Sequence, residues 1–356
     1  MIQFHLIQNL GFGGAESILL SYVQSSQDPH IIFTLSKISL PLSLNLPVNV
    51  RVLNCGIFSF SGFPLFCKFL FKSITSKSIR FVLWSYKPSL LVLPLSPFFC
   101  IKPISYIHST VDPSSWTRLQ LLSSTLFKYL VFFFNSHVIF CSRSSLISNT
   151  LSAGTNHKLL YAGASFLRYP FKDRMFLLEK PRVLRLLSVT KDCPLKDPFN
   201  LIQALSYIDA KNLPFVLDLI GSGTDSELFT QQFSHLSYFC KINFHGCVDC
   251  VVDFYHSSSL FVCSSSNESL PMAIIEAQLT GLPVLSTNVG DIPYLIQDQS
   301  LLVPAKDPEA LAQAIIRFYT ISSLDYLSYS KAISIRMQNN FSSSLFFDNL
   351  RNIILK

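Results

Sequence analysis

Residues 260–296 read LFVCSSSNESLPMAIIEAQLTGLPVLSTNVGDIPYLI, and their order decides the fold. LFVCS is a short apolar run that ends in small polar residues, as a buried strand does before a loop. Ser269 is the expected helix cap, with Pro271 inside the first turn, where its fixed φ is tolerated. The helical run carries one charge, Glu276. Gly281 should close the helix, and Pro283 prevents its continuation. PVLSTN reads as the next buried strand, and Val289-Gly290-Asp291 opens another loop. A parallel α/β sheet binds ligands at the carboxyl ends of its strands. Glu268 and Gly290 both fall at such ends. Glu276 lies two turns into an apolar helix, where an unpaired carboxylate is costly. It is either a structural acid satisfied by neighbouring donors or a carboxylate kept for ligand hydroxyls.

The ordered set Ser265, Glu268, Glu276, Gly281-Leu282-Pro283-Val284 and Val289-Gly290-Asp291 resembles the donor-site motif of retaining glycosyltransferases of family four. The resemblance implies the GT-B fold, an α/β architecture of two Rossmann-like parallel-sheet domains facing across a cleft. It also implies a nucleotide-diphospho-sugar donor. Glu268 would hydrogen-bond the donor sugar, Glu276 the ribose hydroxyls, and backbone N–H groups near Gly290 would orient the sugar. Asp291 departs from the family's second glycine, and Tyr294 stands where a glutamate is usual.

The second half repeats strand and helix: LRLLSVT, PFNLIQALSYI, FVLDLIGSG, a helix from Thr224, INFHG, LFVCSS, PVLSTN and LLVP. That alternation predicts a parallel sheet with right-handed crossovers. Thr224 and Glu227 have capping-box spacing, after a Gly221-Ser222-Gly223 turn of the kind that cradles phosphate. Lys191 and Lys196 bracket the loop after LRLLSVT, where two cations can reach both phosphates of a diphosphate or simply be solvated. The family has an arginine and a lysine there, so Lys196 matches and Lys191 keeps only the charge.

The first half opens with the strand IQFHLIQ, a loop containing Gly13 and Gly14, and the helical run SILLSYVQ. The two glycines match the family's loop toward donor phosphate and sugar. Further strands are expected at 30–35, 48–54, 89–95 and 103–109, and a helix at 115–134. His108 lies at a strand end and resembles the histidine that the family places near the reacting sugar. HVIFCS and Ser142 resemble its strand-then-serine element. Of the family's Pro-Asn-Gly-Val-Asp link, only the glycine of Tyr161-Ala162-Gly163-Ala164-Ser165 remains. The expected division is an acceptor-side domain over 1–168, a linker over 169–182, a donor domain over 183–325, and C-terminal helices over 326–356 that cross back to the first domain.

Composition limits the alternatives. The 356 residues exceed one ordinary core. Charged residues are 14%, well below the usual quarter, while hydrophobic residues are 49%. Residues 1–170 hold 13 Lys/Arg against 3 Asp/Glu, a net of +10 within a chain total of +7. Such a half suits an anionic membrane surface or acceptor. Residues 63–80 have the spacing of a basic amphipathic helix, which could lie on lipid or cover the first sheet. Nucleic acid is not expected, because none of its binding motifs is present. Nine irregularly spaced cysteines favour a reducing compartment, hence the cytoplasm. MIQFHLIQNL has no basic start and reads as a strand rather than a secretory leader. No run reaches about 18 apolar residues, so membrane contact should be peripheral, on the inner face. His245-x-Cys247-x-x-Cys250 lacks the second pair that a zinc site needs. No Asp-x-Asp is present, so no metal and no other cofactor is expected.

The reading is a retaining glycosyltransferase that acts on a saccharide or glycolipid acceptor in surface polysaccharide or lipopolysaccharide assembly. A decayed relative that binds without transfer, and a nucleotide-sugar epimerase of like architecture, remain open. A dinucleotide oxidoreductase is disfavoured, because no Gly-x-Gly-x-x-Gly follows the first strand.

Overall fold

The computed structural model describes residues 1–10, 14–36, 46–54, 66–68, 71, 79–99, 101–108, 117–133, 137–149, 157–173, 183–234 and 240–355. The chain divides into two compact units, Met1–Ala162 with Ser343–Lys356, and Gly163–Ser342. Each is built on one parallel sheet, so the α/β class read from the alternation holds in both halves.

In the first unit the strands are β1 (Ile2–Ile7), β2 (His30–Thr34), β3 (Val50–Asn54), β4 (Ile79–Trp84), β5 (Ile104–Ile107), β6 (His137–Phe140) and β7 (His157–Leu159). Their order is β3-β2-β1-β4-β5-β6-β7. The helices are α1 (Gly14–Ser25), α2 (Tyr86–Val92), α3 (Arg118–Phe133) and α4 (Arg143–Asn149). Phe4, Phe33 and Phe81 stack at 5.3–5.8 Å between ring centres and anchor the core.

The sheet also buries a polar chain. Trp84 Nε1 can only donate, and it lies 3.3 Å from His5 Nδ1. His5 is therefore the Nε2–H tautomer and donates to His30 Nδ1 at 2.9 Å. Burial, then the neighbouring His30, holds the His5 pKa well below its usual value. Burial also lowers His30 to about 4, with Asp28 partly opposing.

One expectation fails in this unit. Residues 89–95 form no strand, but the end of α2 and a 3₁₀ turn over Leu93–Leu95. An apolar run of that length fits a buried helix as well as a strand. Of the amphipathic stretch 63–80, residues 66–68 and 71 are helical, Ile79-Arg80 enters strand β4, and the rest lies outside the described residues.

In the second unit the strands are β8 (Leu184–Val189), β9 (Phe215–Ile220), β10 (Cys240–Phe244), β11 (Leu260–Cys263), β12 (Val284–Thr287) and β13 (Leu302–Val303), ordered β10-β9-β8-β11-β12-β13. The helices are α5 (Pro198–Asp209), α6 (Glu227–Gln231), α7 (Val252–Ser257), α8 (Met272–Leu279), α9 (Ile292–Leu295), α10 (Pro308–Tyr319) and α11 (Ser323–Phe341). Strand order reverses between β8 and β11, and ligands of open α/β sheets bind beside that reversal.

Two caps differ from expectation. Helix α8 starts at Met272 with Pro271 as its cap residue, and no side chain caps it. Helix α6 is capped by Ser226, whose hydroxyl accepts from Phe229 N, while the Thr224 hydroxyl donates to Gly221 O. At the other end of α8, Gly281 has φ +80°, the left-handed turn that stops a helix.

The C-terminal stretch splits. Helix α11 belongs to the second unit, and α12 (Ser343–Leu355) to the first. There Phe347 packs 5.5 Å from Tyr22, and Arg351 pairs with Asp28 at 3.4 Å. The glycine kept from the family's link, Gly163, passes so close to the carbonyls of Phe341 and Ser342 that a Cβ would collide with them.

Candidate active site

The reversal of strand order sets the loop after β8 beside the loop after β11. Leu195 O accepts from Ser266 N at 2.9 Å, and Asp197 O accepts from the Ser264 hydroxyl at 3.0 Å. This stitching brings Lys196 onto Glu268, whose Oε1 accepts from the ammonium. Ser265 Oγ donates to the same oxygen at 2.8 Å. Ser265 is itself held, since its carbonyl accepts from Thr287 Oγ1 at 2.6 Å. Burial works most strongly against the Lys196 charge, but the Glu268 carboxylate, together with Cys263 and Cys193, outweighs it and holds the lysine above its usual pKa.

Gly290 completes this group. Its φ is +56°, and a Cβ there would overlap the Glu268 carbonyl. Asp291, which departs from the family pattern, is buried at the cap position of α9, with no capping bond from its side chain. Its N–H donates to Ser269 O at 3.3 Å.

Glu276 lies on α8. Its Oε2 accepts from Tyr255 Oη at 3.0 Å, and the Tyr169 hydroxyl is a second donor. Burial raises the Glu276 pKa, while both phenols and the nearby Arg168 oppose that rise. Arg168 also lies over the Tyr169 ring at 5.6 Å. The sequence reading missed Tyr169 and Tyr255. Its only signal for them was a carboxylate on an apolar helix that needed donors.

The glycines after β9 serve the loop that carries the lysines. A Cβ on Gly221 would overlap the Thr190 carbonyl, and one on Gly223 would press on Asp192. The Gly221 N–H is already given to Gly246 O at 2.7 Å. Lys191 is exposed on that loop.

In the first unit, His108 follows β5. Burial lowers its pKa to about 4, and its Nδ1 is buried without a partner. Gly14 opens α1 and is exposed, while Gly13 lies outside the described residues. The structure thus gathers Lys196, Glu268, Ser265 and Gly290 into one cluster, gives Glu276 a separate set of partners on α8, and leaves Gly14 and His108 in the first unit.

Among the described residues, no group of three or more His, Cys, Asp or Glu could hold a metal. His245 Nε2 instead contacts Asp218 at 2.7 Å, and Cys247 and Cys250 are exposed free thiols. No helix among the described residues is long and apolar enough to cross a membrane.

Residues 184–320 match the model of the glycosyl transferases group 1 family. A D-inositol 3-phosphate glycosyltransferase of Streptomyces griseus is 31% identical over 138 residues, which is 35% of this chain and 29% of that protein. The O-antigen biosynthesis glycosyltransferase WbnH of Escherichia coli is 33% identical over 101 residues, 28% of this chain and 29% of that one. These alignments therefore span less than a third of either curated relative. Over nearly its whole length the chain shares its fold with Anabaena Alr3699/HepE, solved in complex with UDP and glucose. That likeness has a TM-score of 0.79 at 18% identity and covers 99% of each chain. The second unit carries a glycosyl transferases group 1 domain, and the two-sheet fold is that of the GT-B glycosyltransferases.

Proposed function

We propose that the protein is a retaining glycosyltransferase that moves a sugar from a nucleoside-diphosphate sugar to a saccharide or glycolipid acceptor, in assembly of a surface polysaccharide or lipopolysaccharide. The observation that carries this reading is the Lys196–Glu268 pair at the strand-order reversal of the second sheet. A half-buried lysine whose partner is one carboxylate can exchange it for a diphosphate. Glu268 is then released to accept from the donor sugar's hydroxyls. The leaving diphosphate is stabilised by fixed charge on Lys196, helped by Lys191, with no metal needed. Glu276, held by Tyr255 and Tyr169, faces the ribose hydroxyls, and N–H groups at Gly290 orient the sugar. Gly13, Gly14 and His108 are assigned to the donor sugar by resemblance.

The relatives support this direction. WbnH is named for O-antigen biosynthesis, and the Anabaena structure holds UDP and glucose. The test is release of nucleoside diphosphate from a panel of nucleotide sugars. Wild type should turn over one of them, while Glu268→Ala, Glu276→Ala and Lys196→Ala should fall at least tenfold, as loss of a charged hydrogen bond of about 1.5–3 kcal/mol implies. Equal turnover in all four proteins would sink the assignment. Asp291, a buried carboxylate where the family has glycine, favours one second reading, a domain that binds donor without transfer. Donor binding with no release in any condition would support it.

A further inference from the structure

Two thiols of the second unit face solvent. Cys247 and Cys250 are exposed and free, whereas the other described free cysteines, Cys67, Cys141, Cys193 and Cys263, are partly or fully buried. The exposed pair has Cys-x-x-Cys spacing, in the segment that leaves β10 and enters α7. Accessible thiols at that spacing can close on each other.

The two ends of this segment are held differently. Before Cys247, the His245 N–H donates to Leu219 O at 3.0 Å, and Gly246 O accepts from Gly221 N at 2.7 Å. Gly246 has φ +61°, and a Cβ there would collide with the Asp225 carboxylate. After Cys250, helix α7 is six residues long and starts at Val251 without a side-chain cap. Val251 O accepts from Tyr255 N at 3.1 Å, and the Tyr255 hydroxyl donates to Glu276. A pull on Cys250 therefore reaches one of the donors that hold Glu276. Cys250 is also a neighbour of the other donor, Tyr169. Burial and Glu276 raise the Tyr169 pKa most, and Cys250 adds to them.

A disulfide needs its Cα atoms about 4.4–6.8 Å apart, and an extended four-residue segment spans about 10 Å between its ends. The chain already bends at Cys247 and Asp249, which favours closure. Closure fixes Cys250 to the tied Gly246 end, so the strain falls on the uncapped start of α7.

We propose that Cys247 and Cys250 form a dithiol site that exchanges with small-molecule disulfides, and that closing it loosens Tyr255 from Glu276. One cysteine, as thiolate, attacks a sulfur of the small disulfide, forms a mixed disulfide and releases one small thiolate. The second cysteine, as thiolate, attacks the protein sulfur of that mixed disulfide and releases the other. Two electrons pass from the cysteines to the small disulfide, which leaves as two thiols carrying the two protons that the cysteines gave up. An exposed bridge of this kind is readily reduced again. The bridge is independent of the function proposed above, and its effect on nucleotide binding rests on Glu276 facing the ribose.

The test equilibrates the full chain in glutathione buffers from reduced to oxidised. Mass spectrometry after alkylation of free thiols reads the Cys247–Cys250 bridge, which should form in oxidised buffer and reopen with dithiothreitol. Calorimetry with uridine, guanosine and adenosine diphosphates should show the best of them binding the bridged form about two- to tenfold more weakly, the range of one lost hydrogen bond. Cys250→Ser changes an exposed side chain, so it should melt like wild type and bind equally in both buffers. Absence of the bridge in every buffer overturns the site, whatever the protein binds. A bridge that leaves affinity unchanged overturns the link to Glu276, as does a Cys250→Ser protein that weakens on oxidation like wild type. A bridge in a protein that binds none of the diphosphates in either form overturns the ribose assignment of Glu276 and the link with it, while the dithiol site stands.

Discussion

Lys196 and Glu268 lie 72 residues apart in the chain and form an ion pair where the second sheet reverses its strand order. Neither side chain has another charged partner among the described ion pairs. Each neutralises the other until something else does. Glu268→Gln keeps the shape and removes the charge. Diphosphate affinity should hold or rise, while sugar transfer falls about tenfold to a hundredfold, since a charge-assisted contact is worth about 1.5–3 kcal/mol. Calorimetry for binding and product release for turnover separate the two effects. Parallel loss of both would assign Glu268 to folding instead.

Tyr255 is buried and gives its hydroxyl to Glu276. Tyr255→Phe keeps the ring and loses one hydrogen bond. Nucleoside diphosphate should bind about two- to tenfold more weakly, the range of a net hydrogen bond of about 0.5–1.5 kcal/mol. Preference for ribo- over 2′-deoxyribonucleotide should shrink, because Glu276 loses orientation. An unchanged preference would make Tyr255 a packing residue only.

Gly290→Ala is expected to cost about 1–3 kcal/mol, from left-handed strain alone. It would also displace the Glu268 carbonyl that fills the Cβ position. Chemical denaturation would show the loss, and turnover should fall with it. A variant as stable and active as wild type would contradict the loop geometry.

Acid should destabilise the first unit. His30 and His108 titrate near 4 in the folded protein, and burial with the neighbouring His30 holds His5 well below its usual value, against about 6.5 unfolded. Between pH 6.5 and 4 the unfolded chain binds more protons, so stability is full above pH 6.5 and falls as pH drops. Each such group contributes up to about 1.4 kcal/mol per pH unit. Thermal melts across that range should show a steady decline, and a flat profile would mean the histidines are solvated.

Much of this was legible in residue order, because parallel sheets write their strands as apolar runs and their sites as strand ends. Lys196, Glu268 and Gly290 were placed that way. What stayed hidden depended on contacts distant in sequence. Residues 89–95 are as apolar as a strand, yet Tyr86-Lys87-Pro88 starts a helix just before them. Thr224 and Glu227 satisfy a cap pattern, but Thr224 turns back to Gly221, and Ser226 takes the cap. Tyr169 and Tyr255 carry no pattern that marks them as donors to Glu276. The far face of α3 reads as core in sequence, and only the fold shows which of its leucines the protein leaves exposed.

The most direct test of the donor site is calorimetric titration of wild type and Lys196→Ala with a nucleoside, its monophosphate and its diphosphate, using the base that wild type binds best. The account predicts that wild type binds the diphosphate far better than the nucleoside, and that Lys196→Ala loses most of that advantage while binding the nucleoside as before. A diphosphate advantage that survives in Lys196→Ala would contradict it.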